Sequence, residues 1–289
     1  MRISAKLHTE DERLHADFQV TVQVGGNLTL GGRETGVRRL MTTNLLKRLE
    51  SSVCSFRLTL ERVLAAMNAV LETIDDYRSG LATGASVADG DLPGGFDFDP
   101  DDESGFEVGG ATKILIEDMD WMSWERDIKA DVDVIDVLIA MVRDIDPAHD
   151  AKLIELCEQI REKVKSPINP GNRKVLVFTA FSDTADYLYE NVSEFAAREL
   201  GLACAKVTGD GCACTIDVVP PRMPEILACF SPVSKERDVV APQLCGCDVD
   251  IVIATDCISE GQNLQDCDYL VNYDIHWNPV RIVQRFGRV

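Results

Sequence analysis

The second half of the chain alternates short apolar runs with longer amphipathic segments. Continuous apolar runs predict buried strands, whereas apolar residues spaced three or four apart predict helices. Strands are predicted at 175–179, 203–207, 250–254 and 269–273, and helices at 184–200, at 223–230 and from Pro279 onward. Strands that alternate with helices are typical of a parallel sheet covered on both faces. The pattern therefore predicts an α/β domain over residues 171–289.

The first half of the chain has a different pattern. Residues 17–30 alternate apolar and polar positions around Gly25-Gly26 and predict a β-hairpin within an extension spanning 1–40. Residues 41–76 then predict one long amphipathic helix, with Thr42, Thr43 or Asn44 as the expected N-cap. Its apolar positions recur at steps of three or four: Leu46, Leu49, Val53, Phe56, Leu60, Val63, Met67, Val70 and Ile74.

Residues 77–125 lose most of their aliphatic side chains and gain Gly, Asp, Ser and Pro. Such a segment buries too little apolar surface to offset its ordering entropy, so an acidic, disordered insertion is predicted. Residues 126–170 predict helices at 131–145 and 150–164, separated at Pro147. Trp121 and Trp124 fit no predicted element and are either core residues or anchors for a partner.

The net charge of −20 is concentrated in one part of the chain. Residues 75–150 hold 21 acidic and 5 basic residues, a net charge of −16. The charge therefore says little about the α/β part. It does weigh against strong DNA binding by this polypeptide alone, because phosphate contacts need clustered Lys and Arg.

Ten cysteines occur without an apolar N-terminal run of the signal-peptide kind, and no apolar run approaches membrane-spanning length. Reduced thiols in the cytoplasm, with no membrane partner, are therefore expected. The pairs Cys212/Cys214 and Cys245/Cys247 raise the alternative of a zinc site. Their one-residue spacing and the lack of a nearby histidine favour ordinary buried or loop thiols and no metal.

Small polar residues follow several predicted strands, as in Thr179–Ser182, Thr208-Gly209 and Thr255-Asp256. Ligands bind outside the carboxyl ends of strands in open parallel sheets. Any one of these residues is explained by ordinary turn chemistry. Several of them in succession, followed by a helix that carries Gln284 to Arg288, predict a binding site at this edge of the sheet.

The quoted residues resemble known helicase motifs. The stretches IVIATDCISEGQNLQ and YDIHWNPVRIVQRFGR resemble motifs V and VI of a superfamily 2 helicase, in the variant of Swi/Snf-type ATPases and bacterial RapA-like translocases. KVLVFTAFSDTADYL resembles motif IV. Motif VI runs Q-x-x-G-R-x-x-R, of which Gln284, Gly287 and Arg288 match before the sequence ends at Val289. The run LLKRLESS at 45–52 is similar to a helix that precedes the second motor lobe in bacterial members.

The resemblance implies a second RecA-like lobe, in which ATP and Mg²⁺ bind only together with a first lobe on the same or another chain. Arg288 would meet the γ-phosphate, because its charge is permanent and its fork pairs with phosphate oxygens. The alternative is that Arg288 forms an ion pair with an acidic neighbour near the chain end. Gln284 would orient or sense the nucleotide. The residues implied to approach a phosphate or to couple the nucleotide to the track are Gly261, Asp256, Glu260 and Gly287.

The resemblance also implies that nucleic acid, expected to be double-stranded DNA, is held through its backbone. Thr179, Ser182 and Thr255 would offer hydroxyl and N–H groups to phosphates, without sequence specificity.

The sequence contains no G-x-x-x-x-G-K-[ST] phosphate loop and no DEAH-like acidic motif. We therefore expect no ATPase activity from this chain alone and interpret it as the second lobe of a longer or split translocase, incomplete within motif VI. The alternative is a non-enzymatic interaction module on a degenerate lobe, whose acidic segment binds a basic partner. The coding DNA on either side would distinguish the two.

Overall fold

The chain divides into two units in a computed structural model that describes residues 30–80, 86–88, 113–258, 262–275 and 278–287. The first unit is Met1–Lys47 with Phe56–Asp144, and the second is Arg48–Ser55 with Ile145–Val289. The short segment Arg48–Ser55, called the junction below, thus belongs to the second unit although the residues on both sides of it belong to the first.

The described residues of the first unit are mostly helical. Helix α1 spans Leu30–Ser51, α2 spans Val53–Arg78 and α3 spans Trp121–Val142, while strands β1 (Ser86–Ala88) and β2 (Lys113–Leu115) pair antiparallel. Asp120 caps α3 by accepting a hydrogen bond from the Ser123 backbone N–H at 3.2 Å. The core repeats at helical spacing along α2 and α3 and includes Phe56, Leu60, Val63, Met67, Ile74, Trp124, Ile128 and Ile135.

The predicted long helix differs from the observed one at its start and in its middle. Helix α1 begins at Leu30, and Thr42 lies inside it, where its hydroxyl donates to the Arg38 carbonyl. The prediction of an N-cap at 42–44 is therefore wrong. The helix is divided at Ser52, whose hydroxyl accepts the Ser55 backbone N–H at 2.9 Å. Serine hydroxyls compete in this way with the helical hydrogen-bond ladder.

Two other predicted segments are described only in part. Residues 17–29 of the predicted hairpin lie outside the described residues, and Leu30 is helical. Within the predicted acidic insertion, residues 113–118 form β2 and a 3₁₀ turn, and α3 begins at Trp121. Trp124 is buried in the core, and Trp121 makes an edge contact with Tyr77 at a ring-centroid distance of 6.2 Å. Both tryptophans therefore pack within their own unit.

A five-stranded sheet forms the centre of the second unit. Its strands are β3 (Val175–Phe178), β4 (Cys204–Val207), β5 (Cys212–Cys214), β6 (Ile251–Ala254) and β7 (Leu270–Asn272), in the order β5-β4-β6-β3-β7. The pairs β4–β6, β6–β3 and β3–β7 are parallel, and β5 is an antiparallel edge strand beside β4. The helices are α4 (Ala151–Lys165), α5 (Ser182–Phe195), α6 (Met223–Phe230), α7 (Arg237–Val240) and α8 (Pro279–Phe286).

Both faces of this sheet are covered, as expected for buried parallel strands. Val175, Val177, Ile251 and Ile253 point to one face and pack with residues of α4 and α5. The alternate residues of the same strands, including Leu176, Phe178, Val252 and Ala254, point to the other face and pack with residues of α6. The prediction of a parallel α/β sheet with flanking helices is confirmed. The antiparallel edge strand β5 was not predicted.

Within the described part of the chain, no helix combines the length and the apolar character that crossing a bilayer requires.

Candidate functional site

The carboxyl ends of four parallel strands lie along one edge of the sheet. Thr179 follows β3, Thr208 follows β4, Thr255 follows β6 and Asp274 lies two residues after β7. The strand order places β6 and β3 at the centre, with β7 beside β3. The sheet thus brings together polar strand-end residues that lie up to 95 positions apart in the sequence.

Asp274 is the hydrogen-bond centre at the β3–β7 end of this edge. Its carboxylate accepts the Thr179 hydroxyl at 2.6 Å, the Ala180 backbone N–H at 2.9 and 3.1 Å and the Ser51 hydroxyl at 2.7 Å. Thr179 is fully buried. Its hydroxyl therefore fixes the turn after β3 and, in this arrangement, is not available to a nucleic-acid phosphate.

Ser182 lies at a different position, in the first turn of α5. It is half-buried, and the preceding residue Phe181 makes no side-chain cap to the helix. The first backbone N–H groups of an α-helix have no partner inside the helix, and the helix dipole adds positive charge there. This end of α5 is therefore suited to a phosphate. The acidic Asp183 in the same turn is paired with Arg48 at 2.8 Å.

Thr255 and Asp256 both have contacts within the unit. The Thr255 backbone N–H donates to the Val207 carbonyl at 3.2 Å, and its hydroxyl donates to the Cys257 sulfur at 3.5 Å. Asp256 accepts two hydrogen bonds from Arg285, from Nε at 2.7 Å and from the second terminal nitrogen at 2.9 Å. This bidentate pair joins the motif V stretch to helix α8.

Arg285 is completely buried and binds three partners. Besides Asp256, it donates to the Asn272 side chain at 2.9 Å, and its guanidinium lies 5.1 Å from the centroid of the Phe178 ring. Stacking of this kind adds to the ion pair because guanidinium is weakly hydrated. No role was predicted for Arg285 from the sequence. The available signal was its position three residues after Ile282 on a short helix, on the face opposite the exposed Val283.

Gln284 and Gly287 lie toward the end of α8. Gln284 is half-buried, and its side-chain oxygen accepts from Arg281 at 3.5 Å. Gly287 is exposed with φ of −73°, and a Cβ there would meet only backbone oxygens at 3.5 and 3.7 Å. Neither backbone conformation nor internal packing therefore requires glycine at this position. The Asn278 side chain and Pro279 start the helix.

Three predicted site residues, Glu260, Gly261 and Arg288, lie outside the described residues.

The pairs Cys212/Cys214 and Cys245/Cys247, considered above for a zinc site, lie within the described residues. Burial raises the pKa of the Cys214 thiol, and the Cys245 thiol donates to Asp238 at 3.2 Å. In the described ranges, no group of three or more His, Cys, Asp and Glu side chains is arranged to hold a metal ion.

Residues 151–289, which include the whole sheet and its strand-end site, match the helicase conserved C-terminal domain family and make up a little less than half of the chain. The α/β sheet with flanking helices is consistent with the RecA-like lobe of such proteins.

A relative in Bacillus subtilis (strain 168) is described as the uncharacterized ATP-dependent helicase YqhH. It is 49% identical to this chain over 41 residues, which are 14% of this chain and 7% of the relative. The aligned segment is thus a small part of both proteins. The similarity is to a protein described as an ATP-dependent helicase.

Proposed function

We propose that the helicase C-terminal domain is the second RecA-like lobe of a Swi/Snf-type, RapA-like translocase that moves on double-stranded DNA. The observation that carries this proposal is the buried Arg285–Asp256 pair. It ties helix α8, with Gln284 and Gly287, to the strand end that carries motif V. The resemblance implies that motif V couples nucleotide state to the track and that motif VI meets the nucleotide, and this pair links the two stretches.

The residues around α8 suit one side of an ATP site that is completed by a first lobe. Gly287 is exposed and has no internal requirement for glycine, so the absence of a side chain leaves room for the close approach of a ligand. Gln284 would contact the nucleotide, and Arg288 would pair with the γ-phosphate. Arginine contacts of this kind stabilise the charge that develops in phosphoryl transfer. Glu260 and Gly261 would contribute from the motif V turn, and Mg²⁺ would be held mainly by the first lobe.

The first turn of α5 is the proposed contact to the nucleic-acid backbone. It offers the Ser182 hydroxyl and the N–H groups of the helix end, which recognise phosphate and not base identity. Thr255 would assist through its strand-end position. The contact is mostly uncharged, so binding by this chain alone is expected to be weak. The proposed partners are a first lobe and DNA, and the proposed location is the cytoplasm. The chain alone is expected to lack ATPase activity.

The nucleic-acid part of the proposal is tested by fluorescence anisotropy with 30-base-pair duplexes of two unrelated sequences at low salt. We expect weak binding that is equal for both sequences, and about a fivefold loss of affinity for Ser182→Ala, as expected for one phosphate hydrogen bond. Ser193→Ala removes an exposed hydroxyl from the same helix and serves as the matched control. A folded chain that binds no nucleic acid but captures a basic protein would support the interaction module instead.

The ATPase part is tested with the same preparation. Hydrolysis should stay at background with and without DNA. A DNA-stimulated ATPase that is lost in Arg288→Ala would disprove the need for a first lobe, although it would support the role of Arg288.

A further inference from the structure

Within its own unit, the junction Arg48–Ser55 packs against the same strand ends as the proposed site. Ser51 is fully buried, and its hydroxyl donates to Asp274 at 2.7 Å and lies 2.8 Å from the Thr184 hydroxyl. The Ser52 hydroxyl accepts from Thr184 at 3.3 Å. Two serines of the junction therefore contact both the carboxylate that holds the turn after β3 and the first turn of α5.

Arg48 makes the second set of contacts. Its side chain is 2% exposed, and it donates to the Asp183 carboxylate at 2.8 Å. The guanidinium lies 4.8 Å from the centroid of the Phe181 ring, and one terminal nitrogen is 3.4 Å from the Ser55 hydroxyl. Arg48 thus holds the two residues on either side of Ser182. At 2% exposure it cannot itself reach a nucleic-acid phosphate.

Lys152 of helix α4 makes a third set of contacts with the junction. Its amine donates to the backbone carbonyls of Glu50 at 2.8 Å and Ser51 at 2.9 Å, at the C-terminal end of α1. A cation at this helix end pairs with carbonyls that lack helical partners. The amine also lies 4.2 Å from the centroid of the Tyr273 ring. The junction is therefore held in place by its own unit and can act as a fixed support.

We propose that Arg48 and Ser51 are positioning residues that hold the strand-end segment, residues 179–184, in its phosphate-binding conformation. Ser51 acts through Asp274 and Thr184, and Arg48 acts through Asp183 and Phe181. Arg48 also offsets the negative charge of Asp183 beside the helix end. The consequence for nucleic-acid binding rests on the proposed function, whereas the effect on the segment itself does not.

Hydrogen–deuterium exchange on the whole chain tests the positioning directly. We expect Ser51→Ala and Arg48→Met to speed exchange of the backbone amides at 179–184 by about fivefold, as for the loss of one net hydrogen bond. Amides at 187–195 should not change. Ser193→Ala and Arg198→Met change an exposed hydroxyl and an exposed arginine on the same stretch and are the matched controls. Arg48→Lys, which keeps the charge, should restore part of the protection.

Unchanged exchange at 179–184 in both Ser51→Ala and Arg48→Met would overturn the proposal. If Arg48→Met does not fold, Ser51→Ala and Arg48→Lys still decide it. Faster exchange limited to residues 179–184 supports the positioning role, whether or not the wild-type chain binds DNA. Absence of DNA binding by the wild-type chain would count against the proposed function alone.

DNA binding separates positioning from direct contact. A positioning role predicts about a fivefold weaker affinity for Arg48→Met with an unchanged slope of log affinity against log salt, because no phosphate contact is lost. A slope smaller by about one would mean that Arg48 itself meets a phosphate and would refute the positioning role.

Discussion

Replacing Arg285 by methionine is the most informative single change in the sheet-containing unit. Methionine keeps much of the length of the side chain but removes the guanidinium that joins Asp256 and Asn272. The contacts between strand β7, the motif V stretch and helix α8 then lose the polar link through residue 285. Both the stability of the domain and the position of Gln284 should suffer.

The expected loss follows from the burial of the two partners. Breaking a fully buried ion pair by removing one partner costs about 3 to 5 kcal/mol, because the other charge stays buried. Arg285 is 0% exposed, but the Asp256 side chain is 22% exposed and recovers some hydration. We therefore expect a loss of about 2 to 4 kcal/mol in the free energy of unfolding. For a domain of this size, that loss lowers the melting temperature by about 5 to 15 °C.

Urea and thermal unfolding followed by circular dichroism measure this loss. The control is Arg198→Met, which removes an exposed arginine paired with Glu194 and should change stability by less than about 1 kcal/mol. The double variant Arg285→Met with Asp256→Asn should regain part of the loss, since the carboxylate that lost its guanidinium partner is then removed as well. If Arg285→Met costs no more than the Arg198 control, the buried pair does not hold α8 and the reasoning fails.

Two further predictions concern titratable groups. Although burial opposes it, hydrogen bonds from Lys163 and Asn169 hold the pKa of Asp268 below its ordinary value. A lowered carboxyl pKa stabilises the fold above the unfolded-state pKa and is lost as pH falls through the folded-state pKa, so Asp268→Asn should destabilise at pH 7 and progressively less below about pH 4. Urea midpoints at several pH values measure this, and a pH-independent difference would contradict it. Burial raises the pKa of the Cys157 thiol to about 11. Its alkylation by iodoacetamide at pH 8, followed by mass spectrometry, should be roughly a hundredfold slower in the native than in the urea-unfolded chain, and equal rates would rule out this effect.

The α/β sheet was predictable because its signals are local. The two central parallel strands, β3 and β6, are continuous apolar runs, and every residue of both is buried. Such runs need no knowledge of distant contacts. Strand β5 was missed because Cys212–Cys214 is short and half-buried. Its strand conformation depends on antiparallel pairing with β4. The break at Ser52 was missed because a capping serine and a helical serine look alike in an apolar periodicity.

The placement of the strand ends was predictable, but the use of their residues was not. The order of strand ends placed Thr179, Thr255 and Asp256 at one edge, as the general rule for parallel sheets requires. Which hydroxyl or carboxylate faces inward depends on partners far away in the sequence. Thr179 meets Asp274 across 95 positions, and Ser51 meets Asp274 across 223. No local pattern carries that information.

These inward contacts change which residues remain for ligands. Two carboxylates of the strand-end edge have partners within the unit. Asp256 forms an ion pair with Arg285, and Asp274 accepts a hydrogen bond from the Ser51 hydroxyl. A buried carboxylate is stable only with such partners. Because the Arg285 pair offsets the negative charge of Asp256, an acidic chain can still present the proposed phosphate-binding surface of backbone N–H groups. The negative net charge and a DNA track are therefore compatible, provided that the inward pairs stay formed.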